Sequence, residues 1–409
     1  MRNYLQIALI ALAGESIFLL PFVLQRIFRP TFLKALDISN TELGICFSIY
    51  GITALVSYFL GGPIADRFSP RKLMVVSLFL TAGGGIVLGT FPEVSTLYFL
   101  YGYWGVTTIL LFWAAMIKIT RISGENKQGS AFGFLDGGRG LLAAAIGTIG
   151  VILFASSLKA VSVEHIREAF QQVIWFTSGF VGFVAIIVWF FLKDNHSGSS
   201  DRLKWKQVKK LLQNPAMYAI MLIVLCGYVG YKMTDFMPQY ASEILGFDEV
   251  QSAQLGTALL YGRPLVAIFI GLLADRVSSS KLISYAFLLT AITATSFATG
   301  ILTDSRFVLF LLSTAIVAIS VYAIRAVYFA LISEVNISIQ TTGTAVGLIS
   351  VVGFTPDIFV GPTSGYLLDS YPGITGYRYL FTLLIVFAIV GLIAAWFVSR
   401  LKNKTPLEP

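Results

Sequence analysis

Apolar residues fall along this chain in long runs, separated by short stretches that collect most of its charge. A helix crossing a ~30 Å hydrocarbon layer needs about 20 apolar residues. Twelve runs approach or exceed that length, near 4–25, 43–64, 73–91, 96–118, 129–156, 171–192, 216–240, 251–274, 282–302, 307–332, 343–367 and 378–399. The pattern predicts an all-α protein with twelve transmembrane helices. An even number of crossings puts both ends of the chain on one side. The first run follows Met1-Arg2 and has the look of a signal sequence, but the runs of spanning length behind it favour a first spanning helix.

Composition agrees with this pattern. Of 409 residues, 56% are hydrophobic and 12% charged, about half the charged share of an average globular chain. A water-soluble domain of this composition could not cover its surface, so the bilayer is the expected solvent. Two cysteines and two histidines are too few for a disulfide framework or a zinc site, and no cofactor is expected. The net charge of +8 does not point to nucleic acid, because the basic residues are scattered among short loops. With the N-terminus inside, eighteen Lys and Arg fall on the cytoplasmic side and seven outside, with four within helices. That asymmetry predicts cytoplasmic termini. The stretch 193–213 runs from small polar residues into a basic segment containing Trp205. It reads as a linker, either a solvated hinge or one holding a short amphipathic helix at the membrane surface.

The chain repeats itself. Gly62-Pro-Ile-Ala-Asp66-Arg67 ends the second run, and Gly271-Leu-Leu-Ala-Asp275-Arg276 ends the eighth, at an offset of 209. Gly129-Ser-Ala-Phe-Gly133 opens the fifth run, and Gly343-Thr-Ala-Val-Gly347 opens the eleventh, at an offset of 214. Helix 2 thus matches helix 8, and helix 5 matches helix 11. This six-plus-six duplication divides the chain into bundles at 1–192 and 214–409, and parallel repeats of this kind place a binding site near the midplane between halves.

The Gly-x-x-x-Asp-Arg loop and its echo, with the twelve runs and the duplication, resemble the major facilitator superfamily over essentially the whole chain. Ser69-Pro70-Arg71-Lys72 after the loop looks like that superfamily's organophosphate and organic-anion branch. Leu24-Gln25-Arg26 near the end of helix 1 and Tyr231-Lys232-Met-Thr-Asp235-Phe-Met-Pro238-Gln-Tyr240 in helix 7 are similar to that branch's substrate-binding segments. The chain departs from the branch at Gly230, where the helix 7 arginine would stand. The resemblance implies a gate on the cytoplasmic side built from Gly62, Asp66, Arg67, Arg71, Asp275 and Arg276. In it Asp66 would face the N-terminus of helix 11, where a carboxylate is favourable.

Charges inside spanning helices carry the strongest functional signal, because each costs a few kcal/mol at the bilayer centre. They are Glu15 in helix 1, Asp136 and Arg139 in helix 5, Lys232 and Asp235 in helix 7, Arg263 in helix 8, Arg325 in helix 10 and Asp357 in helix 11. Asp136 with Arg139, and Lys232 with Asp235, stand three apart and can neutralise one another on a helix face. Glu15, Arg263, Arg325 and Asp357 have no partner on their own helix and must face a partner, water or a substrate; Arg139 and Arg263 are expected to point into a central cavity and to contact substrate or a carboxylate such as Glu15 or Asp357. The candidate substrate-binding residues are Arg26, Arg139, Lys232, Arg263 and Arg325 with the aromatics Tyr50, Trp113 and Tyr261; the candidate proton carriers are Glu15, Asp136 and Asp357. Glycine-rich helices 5 and 11, the latter with Pro356 and Pro362, are expected to pack closely and to bend.

There is no Gly-x-x-x-x-Gly-Lys phosphate loop and no metalloprotease or nucleophile-elbow motif. The expected protein is therefore a transporter and not an enzyme. It would move a small polar, preferentially anionic solute by alternating access, as a monomer in a bacterial inner membrane, coupled to protons or to exchange. A proton-driven exporter of drugs or metabolites is the nearest alternative, and a receptor or scaffold without transport is the alternative of another class.

Overall fold

The computed structural model describes residues 2–124, 128–158, 162–193, 209, 211–274, 276–335, 337 and 342–402. These are 90% helical, with no strand among them. Twelve helices are long and apolar enough to cross a membrane: α1 (Leu5–Ile27), α2 (Asn40–Tyr58), α3 (Pro70–Leu88), α4 (Val94–Thr120), α5 (Gly137–Ser157), α6 (Val163–Phe191), α7 (Pro215–Leu245), α8 (Glu249–Ala274), α9 (Ser279–Ala298), α10 (Phe307–Glu334), α11 (Ala345–Ser370) and α12 (Ile374–Leu401). The helix of α2 continues to Arg67, that of α5 begins at Gln128, and that of α11 begins at Thr342. All twelve expected runs are present as helices.

Local chemistry explains several helix starts. Ser39 Oγ accepts from the Glu42 backbone N–H at 3.1 Å, and Glu42 Oε2 accepts from the Ser39 N–H at 2.8 Å. This reciprocal cap satisfies two of the amides that the first turn of α2 leaves without partners. Ser69 and Asn214 cap α3 and α7, each followed by a proline at the first helical position, where its missing N–H costs nothing.

The helices form two compact units. Unit 1 comprises Met1–Ser200, Phe247–Pro264 and Gly361–Gly365, and unit 2 comprises Asp201–Gly246, Leu265–Val360 and Tyr366–Pro409. Unit 1 is built around large buried side chains such as Trp104, Tyr101, Phe28 and Phe170. Unit 2 has its own apolar core, including Met217, Ile220, Phe287, Ile349 and Ala395. Large apolar side chains also face outward, among them Phe99, Phe190 and Leu272. On a water-soluble protein so much exposed apolar surface would be a liability; on a spanning bundle it is the surface that lipid wets.

Glycines set the tightest approach in unit 1. A β carbon on Gly44 of α2 would collide with the backbone of Gly361, and one on Gly365 would collide with that of Asn40. Gly361 and Gly365 stand one turn apart, the small-xxx-small spacing that lets membrane helices approach backbone to backbone. Gly44→Leu is expected to force this contact apart at a cost of about 1–3 kcal/mol, read as a lower unfolding temperature of the detergent-purified protein. Gly83→Leu serves as the control, because a β carbon there meets nothing within 4 Å.

Helical geometry breaks at regular places. α1 contains a π-helical segment at Leu19–Val23, α4 one at Val106–Trp113, α7 a 3-10 turn at Thr234–Phe236 and α10 another at Tyr328–Ala330. These are every third helix, counted from the first. Pro21 removes one ladder donor in α1. In α4 the Thr108 hydroxyl donates to the Trp104 carbonyl at 2.7 Å, and the Thr107 carbonyl accepts from Ser77 Oγ at 2.6 Å. Side chains thus take backbone acceptors that a regular helix would use. α11 breaks at Phe354–Thr355, just before Pro356, while Pro362 lies within the second half of that helix.

Candidate functional site

Each unit holds an ion pair within its spanning helices, and each pair lies beside the broken helical segments. In unit 1, Arg139 of α5 places Nε 3.1 Å from Glu15 Oε2 of α1, with side-chain exposures of 14% and 6%. The Arg139 guanidinium also lies 5.3 Å from the ring centre of Phe18 and 5.8 Å from that of Trp113, within range for attraction to their π faces. Phe18 immediately precedes the π segment of α1, and Trp113 is the last residue of the π segment of α4. Gly14 lies beside the pair and leaves room for Met116, since a β carbon there would lie 2.7 Å from Met116 Sδ. Nearby, the Tyr50 hydroxyl shares a 2.7 Å hydrogen bond with Thr108 Oγ1, and its ring packs edge-on to Phe22 at 4.6 Å.

In unit 2, Lys232 Nζ of α7 lies 2.6 Å from Asp357 Oδ1 of α11. The Tyr228 hydroxyl, one turn before Lys232, is 3.1 Å from both Asp357 oxygens and donates to that carboxylate. Arg325 of α10 stacks over Tyr231 at 3.7 Å and approaches Tyr228 at 5.5 Å. Tyr228 packs in turn against Phe354 at 4.9 Å and Tyr231 against Tyr322 at 6.3 Å. Lys232 stands two residues before the 3-10 turn of α7, Arg325 three before that of α10, and Asp357 two after the break in α11.

The two pairs occupy corresponding helices of the duplication, 1 with 5 and 7 with 11, with the polarity reversed. The acid comes from the first helix in unit 1 and from the fifth in unit 2. A charge pair inside a spanning bundle satisfies itself, hides from lipid and leaves a switchable contact between two helices.

The other sequence-predicted residues are more dispersed. Arg26 is buried near the end of α1. Tyr261 is 41% exposed, and its hydroxyl lies 3.0 Å from Thr148 Oγ1. Arg263 is half-buried on α8. Position 230 is packed: a β carbon on Gly230 would lie 2.9 Å from Val321 Cγ2, so an arginine there would force α7 and α10 apart. In the cytoplasmic loop motifs, Gly62 lies in helical backbone, and Arg67 and Arg276 are exposed. Arg71 lies 5.4 Å over the ring of Trp189. Asp275 falls outside the described residues, as do the side chains of Asp66 and Asp136.

Some contacts had no strong signal in the sequence. Lys118 at the end of α4 donates to the Ala65 carbonyl at 2.9 Å, next to Asp66. Glu334 at the end of α10 accepts from the Ser279 N–H at 2.5 Å, at the start of α9. Both tie the end of an every-third helix to one of the two repeated loops. Phe18 was one phenylalanine among 33; only its i+3 spacing from Glu15 marked it.

Residues 7–355 match the Major Facilitator Superfamily. The chain is 26% identical over 388 residues to the inner membrane protein YqcE of Escherichia coli (strain K12), covering 92% of this chain and 90% of that one. Its fold is similar to that of a bacterial homologue of the human lysosomal transporter Spinster, with a TM-score of 0.76 at 15% identity, covering 100% of this chain and 99% of that one. It is equally similar to a D-xylose–proton symporter, with a TM-score of 0.76 at 15% identity over 99% of this chain and 100% of that one. With twelve candidate spans, a match over most of its length and a duplicated six-helix plan, the chain belongs to the Major Facilitator Superfamily and is a multi-pass membrane transporter.

Proposed function

We propose that this protein is a secondary transporter that moves a small polar solute, preferentially an anion, by alternating access, driven by protons or by exchange. The supporting observation is the coincidence of broken helices with charge. In unit 1, Glu15 and Arg139 cluster with Phe18 and Trp113 where α1 and α4 lose regular geometry; in unit 2, Lys232, Arg325 and Asp357 cluster with Tyr228 and Tyr231 where α7, α10 and α11 do. In transporters, interrupted helices mark the binding region and supply points of flexure. A scaffold gains nothing from charges that each cost a few kcal/mol in a bilayer. On this reading Arg26, Tyr50, Trp113, Arg139, Lys232, Tyr261, Arg263 and Arg325 serve the substrate, and Glu15, Asp136 and Asp357 are the proton-carrying candidates. The repeated loops with Gly62, Asp66, Arg67, Arg71, Asp275 and Arg276 form the cytoplasmic gate. The moving bodies are the halves 1–192 and 214–409, joined by the linker 193–213, with both termini in the cytoplasm and the protein monomeric in a bacterial inner membrane.

The test is uptake into proteoliposomes under an imposed proton gradient, over organic anions, sugars, polyols and amino acids. Saturable accumulation of any of them supports the reading; no flux and no ligand-induced thermal shift across the set would return the protein to the receptor alternative. Orientation is checked separately. Cys46 and Cys226 are buried, so Ser199→Cys is expected to be the reactive thiol. It should resist a membrane-impermeant maleimide in intact cells and react in inverted vesicles.

A further inference from the structure

Among the described side chains, unit 2 sets a further cation, Arg325, beside its ion pair. In unit 1, Arg139 is matched by Glu15; in unit 2, Lys232 is matched by Asp357. Arg325 stands beside that second pair with no carboxylate partner among the described residues, and its Nη1, shielded from solvent, donates to none of them. Arg325 follows Trp113 by 212 positions, between the offsets of 209 and 214 that relate α2 to α8 and α5 to α11. In the duplication it therefore holds the place that unit 1 gives to an aromatic ring. A guanidinium keeps its proton under all working conditions. The faces of Tyr231 and Tyr228 stabilise its charge, but they accept no in-plane hydrogen bond, and a buried donor left unmet is costly. An acceptor is missing, and one bearing negative charge would recover the most.

We infer that Arg325 anchors the anionic group of the transported solute, and that this group carries a single negative charge, as a carboxylate does. The inference rests on the transport reading above and names the substrate class for it. The single charge follows from the neighbours. Lys232 is already committed to Asp357 at 2.6 Å, and Tyr228 donates to the same carboxylate. A monoanion would meet one unmatched cation. A dianion such as a phosphate monoester would bring a second negative charge for which this cluster offers no further unmatched cation. The planar fork of arginine also fits a carboxylate through two parallel donors.

The test uses the full-length protein in a neutral detergent without added phospholipid, with gluconate, glycerate and lactate as monocarboxylate probes. Glucose and glycerol are the neutral counterparts, and glucose 6-phosphate is the dianion. At neutral pH at least one monocarboxylate is expected to raise the unfolding temperature more than its neutral counterpart or the dianion. Arg325→Lys should weaken that binding about tenfold despite keeping the charge, and Arg325→Met should abolish it while eluting as a folded monodisperse species. Tighter binding of glucose 6-phosphate, equal shifts from the neutral solutes, shifts that survive Arg325→Met, or no shift from any monocarboxylate would each overturn the assignment. Loss of the monocarboxylate shift on adding phosphatidylglycerol would also overturn it, because the acceptor would then be a lipid phosphodiester. Uptake of the same solutes into energised proteoliposomes separates the two ideas: transport of neutral solutes in preference to monocarboxylates by the parent protein, unchanged in Arg325→Met, would remove this inference and leave the transporter standing.

Discussion

Lys232→Met is expected to destabilise the protein by about 3 kcal/mol and to stop transport. Removing one partner of a buried ion pair leaves the other charge without compensation, which costs about 3–5 kcal/mol. The lower value applies because Asp357 retains 17% side-chain exposure and can draw in water. The Tyr228 hydroxyl still donates to Asp357, but one neutral donor does not replace an ammonium group inside a bilayer-spanning unit. The double variant Lys232→Met with Asp357→Leu removes the stranded charge and should regain at least half of the lost stability. It should remain inactive, because the switchable contact between α7 and α11 is gone. Thermal unfolding in detergent with uptake by proteoliposomes reads both effects. A single variant as stable as the parent would show that the pair is electrostatically idle.

The second large effect is expected in unit 1 and is functional more than structural. Glu15→Gln keeps an oxygen that can accept from Arg139 and leaves the guanidinium over Phe18 and Trp113. The loss of stability should therefore stay below that of Lys232→Met, at about 1–2 kcal/mol, because the guanidinium keeps an acceptor and two ring faces after losing its counter-charge. Glutamine cannot bind and release a proton. If Glu15 couples the proton gradient to movement of solute, accumulation against a gradient should fall by about tenfold or more, a loss of ~1.4 kcal/mol of driving force. Exchange of labelled for unlabelled solute should persist. Undiminished proton-driven accumulation by Glu15→Gln would assign coupling elsewhere, with Asp136 and Asp357 as the remaining candidates.

The sequence made the helices legible because a bilayer imposes one simple requirement, about twenty apolar residues per crossing. It made the duplication legible because the Gly-x-x-x-Asp-Arg loop and the Gly-x-x-x-Gly helix start each occur twice. The need for partners was legible too, since Glu15, Arg325 and Asp357 had none on their own helices. Spacing along one helix offered Asp136 to Arg139 and Asp235 to Lys232, and the midplane charges offered Arg139 a carboxylate such as Glu15 or Asp357; the structure joins Arg139 to Glu15 and Lys232 to Asp357 across helices. No local rule reports which of twelve helices stand side by side. The broken segments of α4 and α10 were equally silent: in α4 hydroxyl groups engage backbone acceptors at the break, and in α10 the 3-10 turn Tyr328–Ala330 contains neither proline nor glycine.

The pairing of Glu15 with Arg139 also sets a schedule for biosynthesis. The two residues are 124 positions apart. At about 5–20 residues per second the carboxylate of α1 leaves the ribosome some 6–25 s before its cation exists. During that interval the nascent first helix carries a charge that disfavours lateral release into lipid. It would be kept at the insertion machinery, or shielded by a chaperone, until α5 arrives. Lys232 waits in the same way for Asp357. Each half of the molecule thus becomes a comfortable resident of the bilayer only when its fifth helix is in place, so a ribosome stalled before that point would leave a fragment marked for proteolysis by its own unmatched charge.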